Sequence, residues 1–278
     1  MGPLKKAGLL YQAAFVVMAV IIGSAIFAPW IAPYDPMHVV PEEILQGSSA
    51  AHLLGTDALG RDILSRMIYG ARTSVAFAAA AAFCTMIVGL CLGMAGGYFG
   101  GFLDKAIQCM VALFQGLPGM SLMIAIAAVL PESDARLIIA VTVTSWTGFS
   151  RIVRSEVLRI RSEPYIEGVK SLGGGHWYIL WRYIFPNVLP VVIVLLTLRI
   201  GSSLLSASAL SYLGLGVAPP VADWGVMISD ARTYFRSYPL MILAPGIGIT
   251  AFCMSINLIG DWLRDVLAIG DDTERRQG

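Results

Sequence analysis

From Glu163 to Gly173 the chain reads Glu-Pro-Tyr-Ile-Glu-Gly-Val-Lys-Ser-Leu-Gly, residue types suited to docking on a partner and not to breaking bonds. Pro164 fits the first turn of a helix, where its missing N–H costs nothing. Tyr165, Val169 and Leu172 follow at helical spacing and predict a short helix with one apolar face. Gly173, Gly174 and Gly175 end it, because glycine accepts the positive φ of a helix C-terminus. A second amphipathic helix, about Trp177 to Phe185, is expected before Pro186. A short, exposed, sharply stopped helix between two long apolar runs is shaped to sit in a partner's groove. A solvated charge on an exposed helix is the plain reading of Glu167.

Other residues capable of chemistry are few. No Ser/His/Asp or Cys/His set is recognisable, so a membrane enzyme has little support. His38, His52 and His176 lie on different segments, which argues against a metal site. Cys84, Cys91, Cys109 and Cys253 all sit inside apolar runs, without a C-x-x-C pair, and read as small hydrophobes. Met227, Met241 and Met254 read as packing residues. Gly168-Val-Lys-Ser171 ends like a phosphate loop, but the upstream glycine and the preceding strand are missing, so no ATP site is expected. Asp62 and Arg66, four apart, suggest a surface ion pair. Arg199 lies within an apolar run, where a charge costs roughly 2.5–3.5 kcal/mol and must face protein or water. It could meet a cargo carboxylate in a pathway or pair with Asp230 or Glu156, and the pairing is the preferred expectation.

The elements that position these residues are membrane spans. Of 278 residues 57% are hydrophobic and 13% charged, and the mean hydropathy is +0.74. Ordinary soluble domains carry roughly 25% charged residues. The net charge of +1, with no basic stripe, argues against nucleic acid as a partner. An all-α polytopic membrane protein with about six transmembrane helices is expected. The spans are placed at Tyr11–Ala32, about Thr73–Gly97, about Ala106–Leu130, Leu137–Ser150 with a helical extension towards Arg161, about Val188–Gly214, and Leu240–Val266. The first, preceded by Lys5 and Lys6, is read as a retained anchor because its apolar length exceeds that of a signal peptide. Gly89, Gly93 and Gly97 predict close helix packing, and Pro118 a kink or local unwinding. The resulting division is 1–32 for the N-terminus and first helix, 33–72 for an external loop, 73–266 for a five-helix core with segment 151–187, and 267–278 for a cytoplasmic tail, disordered from Gly270 to Gly278. Basic residues are in excess on one set of loops, which places both termini in the cytoplasm.

The segment Glu167-Gly168-Val169, Gly173 and Tyr183-Ile184-Phe185-Pro186 resembles the cytoplasmic loop of bacterial ATP-binding-cassette importer permeases. Glu167, Gly173 and Pro186 agree with that pattern in type and spacing; Gly168, Val169, Tyr183 and Phe185 depart from it. His52 to Arg72, Ser211 to Gly216, Asp223 to Met227 and Gly260 to Asp265 are similar to segments of the second permease of peptide and nickel importers. The resemblance implies a type I permease fold and a bacterial inner-membrane location. It implies di- or oligopeptide import, or import of nickel or a metal chelate. Glu163, Tyr165, Glu167, Gly168, Val169, Leu172 and Gly173 would then couple to an ATPase, and Asp57, Arg61 and Asp62 would contact a binding protein or merely tie down the external loop. Expected partners are a second homologous permease, cytoplasmic ATPase subunits holding ATP and magnesium, and an extracytoplasmic substrate-binding protein; this chain itself would carry no cofactor. An ion-coupled secondary transporter is the other class, but inverted repeats and paired intramembrane acids are not visible.

Overall fold

The computed structural model describes residues 8–275, almost all of them helical. Helix α1 (Leu9–Ile26) and the short α2 (Ala28–Ile31) precede an irregular segment over 32–62. Then follow α3 (Ile63–Phe99), α4 (Gly101–Gly116), α5 (Gly119–Val129) and α6 (Asp134–Arg161). The expected docking segment is α7 (Pro164–Ser171). Helix α8 (His176–Ile179) runs through a π-turn (Leu180–Ile184) into α9 (Phe185–Leu210), which ends in a second π-turn (Ser211–Leu215). A loop helix, α10 (Trp224–Ala231), and the long α11 (Leu240–Arg275) complete the chain.

Four helical stretches are long and apolar enough to cross a membrane, and α4 with α5 makes a fifth, bent by 93° at Leu117–Pro118 where the kink is expected. Helix α6 does not meet that test by composition, but it is long enough to be the expected sixth pass. Its 28 residues reach about 40 Å, but its arginines dilute its apolar character. The glycine stripe sets how it packs. A Cβ at Gly89 would meet Phe149 at 2.7 Å, one at Gly93 would meet Val153 at 2.8 Å, and one at Gly97 would meet Val157 at 2.9 Å. These pairs advance together by one helical turn, so α3 and α6 run parallel with backbones in close approach. Two parallel neighbours require the intervening chain to return over their whole height, and broken α4–α5 does so.

The other contacts complete the directions. Gly201 faces Ile256 while Gly260 faces Thr197, so α9 and α11 are antiparallel. Phe15 meets Trp262 edge-on at 5.2 Å, which sets the start of α1 beside the end of α11. Both ends of the described chain therefore lie at the end of the bundle that carries α7. The segment 32–62 and α10 lie at the opposite end.

Three local expectations change. Helix α3 begins at Ile63, not near Thr73, because Asp62 caps it by accepting from the Ser65 N–H at 2.7 Å; Ile63–Arg72, expected in the loop, is its first turns. Pro186 does not separate two helices. The π-turn shifts the ladder ahead of it, with the Phe185 N–H bonding to the Leu180 carbonyl, and Asn187 Nδ2 donates to the Tyr183 carbonyl at 2.6 Å. Helix α11 continues to Arg275, through most of the tail expected to be disordered, since extending a formed helix is cheap. Lys5, Lys6 and the last residues, 276–278, lie outside the described part.

Candidate functional site

Helix α7 is held from one side and bare on the other. Glu163 occupies its N-cap position and Pro164 its first turn, as expected. The end is a Schellman cap: Gly173 has φ +87°, its N–H bonds to Lys170 O at 3.0 Å, and the Gly174 N–H reaches Val169 O at 3.0 Å. Ile166, fully buried, anchors the helix among Ile160, Ile179 and Ile184, with Val169 packed beside them. The apolar face is thus split. Ile166 and Val169 turn inward, whereas Leu172 is 91% exposed and Tyr165 46%. Burial of the ring and the nearby Glu163 carboxylate hold the Tyr165 phenol above its ordinary range. Glu167 is exposed, and a Cβ on Gly168 would meet nothing within 4 Å. Six of the seven expected coupling residues surround the bare side or its caps, and Val169 is the exception.

The link into the membrane is short. Ser162 and Glu163 close a tight turn onto α6, the Glu163 N–H bonding to Ile160 O at 3.1 Å. At the neighbouring end of α3, the Tyr98 hydroxyl lies 3.1 Å from His176 Nδ1. Trp177, Tyr178 and Trp181, which sequence reasoning placed only in an amphipathic helix, are largely exposed on the following turns.

At the opposite end, Asp57, Arg61 and Asp62 are brought together, but in the interior. Asp57 Oδ2 accepts from Arg61 Nε at 2.7 Å and lies 3.5 Å from Arg66 Nε. Asp230 of α10 stands 3.5 Å from Arg61 Nη2 and 4.0 Å from Arg66 Nη2. Its carboxyl is held above the usual range by burial, which outweighs the two guanidiniums. His52 lies between Asp62, at 3.0 Å, and Glu43, at 3.3 Å. The expected Asp62–Arg66 surface pair is not formed: Asp62 is committed to capping α3, and Arg66, 2% exposed, turns to Asp57 and Asp230. These charges tie the loop to α3 and α10. Asp223 and Trp224 complete the closure. Asp223 caps α10 and accepts from Ser74 Oγ at 2.7 Å, and buried Trp224 donates from Nε1 to Met67 O at 3.0 Å.

Arg199 departs from the preferred expectation. Asp230 is taken by Arg61 and Arg66, and Glu156 pairs with Arg159 at 2.5 Å. Among the described residues Arg199 makes no ion pair or side-chain hydrogen bond. Its guanidinium lies against Gly148, where an added Cβ would be 3.6 Å from Nη2. It lines a cavity of about 370 Å³ with Phe149, Ile152, Leu198 and Ser202. Gly148 and Ile152 also line a second cavity of about 530 Å³ with Gln108, Arg151 and Arg154. The sequence marks Arg151 for this groove only by its place one turn from Gly148.

A bundle of long apolar helices, with a capped helix at one end and a groove holding Arg199 between α6 and α9, defines a multi-pass membrane protein. Residues 89–268 match the family described as the binding-protein-dependent transport system inner membrane component. Residues 11–47 match the N-terminal transmembrane domain of oligopeptide transport permease C. The glutathione transport system permease protein GsiD of Pectobacterium atrosepticum is 36% identical over 92% of this chain and 85% of its own length. GsiD of Escherichia coli O157:H7 is 39% identical over 92% and 84%. The dipeptide transport system permease protein DppC of Alkalihalophilus pseudofirmus is 38% identical over 95% and 86%. The chain belongs to the binding-protein-dependent inner-membrane transport component family and is a multi-pass bacterial permease, not a catalytic subunit.

Proposed function

We propose that this permease forms half of the translocation pathway of an ATP-driven importer of di- or oligopeptides, and that α7 docks on a cytoplasmic ATPase subunit. The observation that carries the reading is α7 itself, rooted by Ile166 and presenting Tyr165, Glu167 and Leu172 outward. A push on α7 passes through the turn at Ser162 into α6, which lies against the α3 glycine stripe and also lines the Arg199 groove. Closure of two ATPases would thereby move the wall of the pathway, giving alternating access. ATP and magnesium are held by those subunits, and a second homologous permease supplies the other half of the pathway. The substrate-binding protein meets the end carrying 32–62 and α10. There Asp57, Arg61 and Asp62 act by holding the loop it would touch. A peptide cargo is preferred to nickel or a chelate because the relatives above are named for glutathione and for a dipeptide.

Affinity purification of the tagged chain in mild detergent tests this. Wild type is expected to bring down an ATPase and a second permease. Glu167→Ala and Leu172→Ala should each retain the permease and lose most of the ATPase. Purification of the chain alone, with nucleotide present and in several detergents, would refute the importer reading.

A further inference from the structure

We propose that the groove lined by Arg199 and Arg151 is a carboxylate site, which selects anionic cargo and passes it from mid-bundle towards the α7 end. The proposal rests on the reading that the α6–α9 groove borders the pathway. Gly148, against which the Arg199 guanidinium lies, is halfway along α6, about 20 Å from either helix end. Arg199 has no acidic partner among the described residues, so the cost of an intramembrane charge is not offset within the chain. Arg151 stands one turn nearer α7 on the adjoining cavity and, among the described residues, bonds only to the neutral Gln115 Oε1, at 3.0 Å. Arg154, a further turn on, is neutralised by Asp104 at 2.5 Å, so the positive field is confined to the two upper steps. Two guanidiniums a turn apart suit a carboxylate, which each can grip with two parallel N–H bonds. A lipid phosphate fits this height poorly, since headgroups lie about 15 Å from the middle of a 30 Å hydrocarbon layer.

The probes are two methanethiosulfonates, one bearing a sulfonate and one a trimethylammonium, applied to Ser202→Cys in the assembled importer with Cys84, Cys91, Cys109 and Cys253 replaced by alanine. Ser202 is exposed on the Arg199 cavity. Relative to a free thiol, the anionic probe should react at least about threefold faster than the cationic one, as a focused positive field requires. The preference should vanish in Arg199→Gln and persist in Arg199→Lys. No preference in the parent would overturn the proposal. In the same importer with its native cysteines, Arg199→Gln should cut uptake of a dipeptide at least tenfold while sparing its C-terminal amide, each corrected for affinity to the binding protein. Equal loss of both would overturn selectivity. A charge preference with unchanged uptake would place the groove off the pathway and overturn the proposal too. Failure of the ATPase to co-purify sinks the importer reading, whereas an importer that assembles but shows no charge preference sinks the carboxylate site alone.

Discussion

At the scale of residues, the two ends of the permease use charge and glycine differently. Asp57 lies beside two buried guanidiniums, with only the half-exposed Asp230 to share them. Asp57→Asn should cost about 3–5 kcal/mol, as breaking a buried pair does, and appear as a large fall in the detergent melting temperature. An unchanged melting temperature would mean that Asp230 suffices. In α7, Gly168 and Gly173 should respond in opposite directions. Gly168 is an interior helix position with open space around its Cα, so Gly168→Ala should favour the helix by about 1 kcal/mol. Gly173 holds φ +87°, which a side chain resists by roughly 1–2 kcal/mol. ATPase binding should be equal or stronger in Gly168→Ala and weaker in Gly173→Ala. A clear loss in the first would show that α7 must flex.

At the scale of elements, α6 joins the two proposed sites. It carries α7 at its end, Arg151 and Gly148 on one face, and Phe149, Val153 and Val157 against the glycines of α3. That contact tolerates no added atom: a Cβ on Gly93 would lie 2.7 Å from Ser150 O and 2.8 Å from Val153. Gly93→Ala should therefore destabilise the pair by about 1–3 kcal/mol, as overpacking does. It should also lower uptake without weakening ATPase binding, since α7 itself is untouched. Retained uptake would show that α3 and α6 need not stay in close contact during transport.

At the scale of the molecule, parallel α3 and α6, antiparallel α9 and α11, and the meeting of α1 with the end of α11 place both described ends beside α7. The positive-inside rule predicts that this end faces the cytoplasm. With the native cysteines replaced, Leu53→Cys should react with an impermeant thiol reagent in spheroplasts, and Leu172→Cys only after the membrane is opened. Both side chains are well exposed, so their accessibility does not depend on local unfolding. The opposite pattern would invert the orientation and remove α7 from the reach of a cytoplasmic ATPase.

Much of this was legible in sequence because its causes are local. Apolar run length sets where spans lie, Pro118 breaks one of them, and Pro164 and Gly173 begin and end α7 through their own backbone preferences. The glycine spacing on α3 announced a close contact but could not name its partner. That α6 fills it, parallel and two elements later, is a matter of three-dimensional packing. Charged groups were the least legible, because a side chain's partner depends on which helices meet and not on sequence distance. Asp62 and Arg66, four residues apart, turn to different neighbours, while Arg66 reaches Asp230 on another element. Arg199 likewise was visible as a costly charge from its apolar surroundings alone. Only the tertiary structure, by committing Asp230 and Glu156 elsewhere, leaves it facing a groove.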